Sequence, residues 1–157
     1  MDLSIRSERS LGFLIFGDEI ALGLKKRGFG AGYWNGFGGK LENGETVEGC
    51  LIREGKDEFG IIIEPGSIRN AGVINFFFLT KPEWNQRVHI FTVIEWRGIL
   101  QESDEMKPQW FKIKDIPYAK MWPDDIQWLP KILRGEIIRA NVFFKDALGN
   151  VEKIEFT

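Results

Sequence analysis

The stretch GGKLENGETVEGCLIREGKDEFGI, residues 38–61, sets a glycine turn ahead of a run that reads as one helix. Thr46 is the predicted N-cap, Val47–Phe59 the helix and Gly60 its stop. With Glu54 at zero on a wheel of 3.6 residues per turn, Val47, Cys50, Leu51, Asp57, Glu58 and Ile61 all fall within about 60° of it. The stripe is therefore apolar, then acidic, then apolar again. A helix with only a packing role would carry its apolar face through without that interruption. Three carboxylates crowded away from water repel and titrate upward unless a cation neutralises them, and oxygen ligands select a hard cation, Mg²⁺ or Mn²⁺. Taken alone, the helix slightly favours a solvated acidic end with Arg53 and Asp57 paired at i,i+4, because acidic helix faces are common.

Gly55 falls on a second, apolar stripe between Ile52 and Phe59. Glycine there forgoes the burial of a large side chain, about 1.5–3 kcal/mol, and costs roughly 1 kcal/mol of helix propensity relative to alanine. Two readings of the glycine stand: a neighbouring aromatic fills the gap, for which the chain's 13 phenylalanines give scope, or the position has simply drifted.

Working outward, residues 11–16 form an apolar strand candidate that ends at Gly17-Asp18, and residues 20–24 its hairpin partner. Residues 28–39 contain six glycines and are expected to be irregular. Further strands are predicted over 61–64, 71–79, 87–96 and 110–113, and a second helix over 126–135. The closing FFKDALGNVEKIEF predicts a hairpin around Leu148-Gly149-Asn150. Strands with two separated helices predict an α/β fold in which both faces of a mixed sheet are covered.

The chain has 157 residues with 43% apolar content, enough for one well-buried core, and no linker, repeat or low-complexity segment divides it. One domain over 1–157 is expected. With 21 basic and 23 acidic residues the net charge is −2, which gives no basic field for polymeric nucleic acid. Cys50 is the sole cysteine, so no intramolecular disulfide framework exists, and its apolar neighbours predict a buried thiol. The apolar run near the N-terminus is too short for a signal peptide or a membrane span. A cytoplasmic setting is expected. The glycine-rich loop is not a phosphate-binding P-loop, because Leu41 follows Lys40, and no G-x-G-x-x-G occurs in it.

The spacing of the central stretch resembles the box of the Nudix hydrolases. That pattern runs glycine, five residues, glutamate, seven residues, then R-E-U-x-E-E-x-G-U with U a bulky aliphatic. Gly39, Glu45, Arg53, Glu54, Glu58 and Gly60 meet it, while Gly55 stands at U and Asp57 replaces the first glutamate of the pair. KKRGFGAGYWNGFGGK (25–40), VHIF (88–91), ESDEMKP (102–108) and MWPDD (121–125) extend the resemblance to the branch of that family acting on oxidised purine nucleoside triphosphates.

The resemblance implies a monomeric α/β/α sandwich with a metal-binding loop–helix–loop. It also implies Mg²⁺-dependent hydrolysis of a modified purine nucleoside triphosphate to monophosphate and pyrophosphate, with no membrane partner. Glu54 and Glu58 become metal ligands or include the general base, joined by Gly38, Asp57 and Glu105, while Glu45 and Arg53 brace the loop. Trp122 and Pro123 belong to the base pocket, where Asp124 and Asp125 could read donors and acceptors on a purine edge by sharing a proton. The same two aspartates also suit an N-cap for the second helix. Phe29, Asn35, Phe37, Gly38, Gly39, Lys40, Phe76, Phe78 and Ser10 are implied substrate contacts. Lys25 is placed near the sugar-phosphate end, and His89 is read as structural. Two alternatives remain at this point: a Nudix pyrophosphatase for another nucleotide, such as a methylated purine triphosphate, and a nucleotide-binding sensor weakened at Gly55 and Asp57.

Overall fold

Strand β1 (Ser7–Phe16) is the axis of the molecule, and the structure, a computed structural model, describes residues Met1–Thr157 around it. On one edge β1 runs parallel to β6 (Gln86–Val93). On its other edge it pairs first with β4 (Phe37–Lys40) and then with β2 (Glu19–Lys25), both antiparallel. Nine strands make one sheet in the order β3-β2-β1-β6-β5-β8-β9, where β3 is Trp34–Asn35, β5 Ile68–Phe78, β8 Ile138–Phe144 and β9 Val151–Phe156. The remaining strand, β7 (Met106–Lys112), pairs with β2. The β1–β6 and β5–β8 pairs are parallel and the others antiparallel, so the sheet is mixed as expected.

Alternation along β1 sends Phe13 to one face and Leu14 to the other, and each starts a separate core. Phe13 joins Trp128, Leu129 and Ile132 of helix α2 (Asp125–Leu133), whereas Leu14 joins Leu51 and Phe59 of helix α1 (Val47–Phe59). The sheet is thus covered on both faces. Helix α1 has the predicted bounds, because Thr46 Oγ1 accepts from the Gly49 N–H at 3.0 Å and Gly60 turns left-handed at φ 69°. Gly55 is buried, and a Cβ there would lie 2.9 Å from Ile63 Cδ1 and 3.2 Å from Phe37 Cε2. An aromatic does fill the gap, together with an isoleucine.

Three expectations need correction. The loop 28–39 is not irregular throughout, since Trp34–Asn35 and Phe37–Lys40 form β3 and β4. The glycines that suggested coil allow β4 to lie against β1: a Cβ on Gly38 would come 1.9 Å from the Ser10 carbonyl oxygen. Residues 61–64 make no strand, only a single bridge between Ile62 and Arg97. Finally, β1 and β7 reach further toward the N-terminus than the apolar runs that predicted them, because their polar first halves still pair. No helix is long and apolar enough to cross a membrane.

Candidate functional site

The site spans both sheet faces at the divergence of β2 and β4 from β1. On the α1 face, Arg53 is the brace. Its Nε and Nη2 grip both carboxylate oxygens of Glu45 at 2.7 and 3.0 Å, and Nη2 also donates to the Lys40 carbonyl at 3.2 Å. Its Nη1 hydrogen-bonds Glu54. Arg53 holds the Glu45 carboxyl down to about 2, which keeps the fork charged at any working pH. Loop 40–45, helix α1 and Glu54 are fixed together through this one guanidinium.

Glu54 is presented to Gly39, where a Cβ would meet its carboxyl carbon at 3.0 Å. Glu58, one turn on, is 2% exposed. Its Oε1 accepts from the Gly38 N–H at 3.4 Å, and its Oε2 is buried without a partner. Burial, reinforced by the charge of Glu54, pushes the Glu58 carboxyl up to about 8, while Lys25 pulls the other way. A buried carboxyl with an orphaned oxygen, beside a second, part-exposed carboxylate, is a site that a hard cation would satisfy. The other two implied acidic ligands stand apart from it. Asp57 is 62% exposed with its carboxylate 3.9 Å from Arg53 Nη1, and Glu105 is paired with Lys25 at 3.3 Å and Arg27 at 3.0 Å. No three His, Cys, Asp or Glu side chains converge as a cluster that could hold a metal ion.

On the α2 face lies a cavity walled by β1, β5, the 29–36 loop and the start of α2. Asp124 and Asp125 are 1% and 3% exposed. Asp124 occupies the helix N-cap position, yet its side chain makes no capping bond; Oδ2 accepts from Trp128 Nε1 at 2.6 Å instead. Asp124 Oδ1 and Asp125 Oδ2 are buried with no partner. Burial raises Asp124 to about 6 against the pull of Trp128, and burial plus the Asp124 charge raises Asp125 further. One proton shared by the pair near neutrality gives a donor and an acceptor side by side. Trp122 stacks on Phe29 at 5.2 Å, which in turn meets Trp84 edge-on at 5.0 Å.

The fold brings Lys25, Phe29, Asn35, Gly38, Gly39, Phe76, Phe78, Trp122, Asp124 and Asp125 to this cavity. Ser10 lines it too, although its hydroxyl is committed to the Val47 carbonyl at 2.6 Å under α1. Three implied contacts lie elsewhere. Phe37 is wholly buried in the α1-side core against Phe59, because strand alternation turns it away from the cavity. Lys40 lies in an outer groove, and Pro123 is exposed beside the Gly149 turn. Arg9, Leu11, Gln86, Trp128 and Phe144 also wall the cavity without having been anticipated. For Arg9 and Leu11 a signal was available, since they share the period-2 face of Phe13.

The class follows from comparison with known proteins. Residues 7–132 match the family model described as NUDIX domain, and the chain belongs to that family of hydrolases. Among particular relatives, it is 44% identical over 128 residues to the mouse oxidized purine nucleoside triphosphate hydrolase, covering 82% of this chain and 80% of the relative. The zebrafish protein of the same name is 48% identical over 116 residues, covering 74% and 72%. The fold matches the crystal structure of a MutT protein from Bacillus halodurans at a TM-score of 0.80 and 20% identity, over 96% of this chain and 97% of that one.

Proposed function

We propose that this hydrolase cleaves oxidised purine (deoxy)nucleoside triphosphates, such as 8-oxo-dGTP or 2-hydroxy-dATP, to monophosphate and pyrophosphate, acting as a Mg²⁺-dependent monomer in the soluble nucleotide pool. Mn²⁺ would serve in place of Mg²⁺. The observation that carries this reading is the buried Asp124–Asp125 pair, with two orphaned oxygens, in an aromatic cavity whose wall includes Gly38 and Gly39, the glycines against which Glu58 and Glu54 lie.

The base enters the cavity, where neutral Asp125 donates to a ring carbonyl and ionised Asp124 accepts from a ring N–H. An oxidised guanine offers an N7–H that the unmodified base lacks. Lys25 neutralises phosphate charge from the end of β2, and Gly38 and Gly39 let the backbone approach closely where any side chain would obstruct. Glu54 and Glu58 would hold the divalent cation, which when bound neutralises developing charge and activates water. Arg53 orients Glu54, so the brace positions the acid without touching substrate.

The test is pyrophosphate release from a panel of normal and oxidised dNTPs with Mg²⁺, beside Glu58→Gln. Measurable binding without turnover of any nucleotide would overturn the enzymatic reading. It would favour a weakened sensor instead, which the outward Asp57 and the paired Glu105 make the specific second reading. Preferred turnover of a methylated purine triphosphate would keep the chemistry and change the substrate.

A further inference from the structure

Arg9 is a cation without an anion. Adjacent residues of β1 face opposite ways, so Ser10 turns its hydroxyl to α1 while Arg9 joins Leu11 and Phe13 on the cavity face. Its Nε is buried with no hydrogen-bond partner. No ion pair of the structure includes it. The guanidinium carbon stands 5.9 Å from the centre of the Phe29 ring, and Lys40 is its cross-strand partner on β4. Burial opposes its charge, and the Glu54 carboxylate offsets part of that. A guanidinium does not lose its proton in a protein, and the buried Nε–H finds no acceptor within the chain, so an oxygen brought in by a ligand would satisfy it.

The position of Arg9 indicates which oxygen that is. It walls both the base cavity and the outer groove that carries Arg6 and Lys40, beside the Phe29 ring and on the same cavity wall as Gly38 and Gly39. A nucleotide with its base against Asp124 and its phosphates toward Gly38 and Gly39, which touch Glu58 and Glu54, would pass its first phosphate along the wall that Arg9 forms. We propose that Arg9 is a substrate-binding residue whose guanidinium takes an oxygen of the nucleotide's α-phosphate. This rests on the nucleotide reading of the cavity above. A planar fork suits a phosphate better than an ammonium does.

The experiment is calorimetric titration of 8-oxo-dGMP and of the phosphate-free 8-oxo-deoxyguanosine into wild type, Arg9→Gln, Arg9→Met and Arg9→Lys, each first shown to be folded by circular dichroism. The expected result is at least a tenfold weaker Kd for the monophosphate with Gln and with Met, an intermediate loss with Lys, and less than a twofold change for the nucleoside. Equal loss for both ligands would make Arg9 a base contact or a packing residue, and no loss for either would make it no ligand at all; each overturns the assignment. If wild type bound neither compound, the nucleotide reading of the cavity would fall instead.

Discussion

At the scale of single residues, Glu58 joins structure to chemistry. It is buried, half-bonded and raised to about 8, so without a cation it keeps a proton near neutrality. Glu58→Gln keeps that shape and removes the charge, and it should lower kcat by about 10²-fold or more, the usual weight of a group that handles protons or holds charge in the transition state. Steady-state pyrophosphate release measures it, and a variant within threefold of wild type would remove Glu58 from the machinery. The aspartate pair yields a pH prediction. Its folded pKa values lie above the ordinary 3.8, so the native state binds more protons than the unfolded chain. The pair's contribution to stability is complete below the unfolded value and is lost as pH rises through about 6 and beyond. The double variant Asp124→Asn/Asp125→Asn should therefore show a flatter profile of melting temperature against pH over roughly pH 4–8 than wild type. Superimposable slopes would contradict the assignment. Gly55 is a packing position: a large aliphatic there would drive into Phe37 and Ile63. Gly55→Leu should cost about 1–3 kcal/mol in denaturant unfolding, the range for overpacking a filled core.

At the scale of elements, helix α1 was the most legible part of the sequence. Its cap, length and glycine stop are local chemistry, and each appears where the residues demand it. Where the side chains of one acidic stripe end up was not legible. The wheel places Asp57 and Glu58 together, yet in the fold Glu58 faces the sheet and Asp57 faces solvent beside Arg53. Successive helical residues are about 100° apart, and the burial boundary falls between these two, a tertiary fact that periodicity does not contain. The 28–39 loop failed for the opposite reason, since glycine content signals coil unless a close backbone neighbour uses the missing side chains. The β8–β9 turn was readable as a hairpin, but its contact with the cavity was not. Gly149 sits at φ 82°, and a Cβ there would lie 2.5 Å from Trp122 Cε3. Gly149→Ala should cost about 1–2 kcal/mol from the left-handed backbone alone. It should also weaken nucleoside binding by displacing Trp122. Unchanged affinity beside lowered stability would show that the turn does not support the platform.

At the scale of the whole molecule, the sheet explains why residues so far apart in sequence form one site. Carboxylates from α1 meet the sheet on one face, the aspartates at the start of α2 meet it on the other, and Gly38 and Gly39 of β4 touch the first group while lining the cavity of the second. The motifs at 25–40, 54–58 and 121–125 were visible in the chain. Their convergence needed the mixed sheet, and the paired state of Glu105 needed the crossing of the 25–27 and 102–106 segments, where the Lys26 N–H also donates to the Glu105 carbonyl at 2.8 Å. The proposed division into a base site and a phosphate site on one sheet predicts discrimination by the base at constant phosphate chemistry. The direct measurement is kcat/KM for 8-oxo-dGTP against dGTP with Mg²⁺ at neutral pH. The extra ring N–H facing a buried acceptor should favour the oxidised nucleotide by at least about tenfold, corresponding to roughly 1.4 kcal/mol of differential binding. Equal kcat/KM values for the two nucleotides would contradict the account.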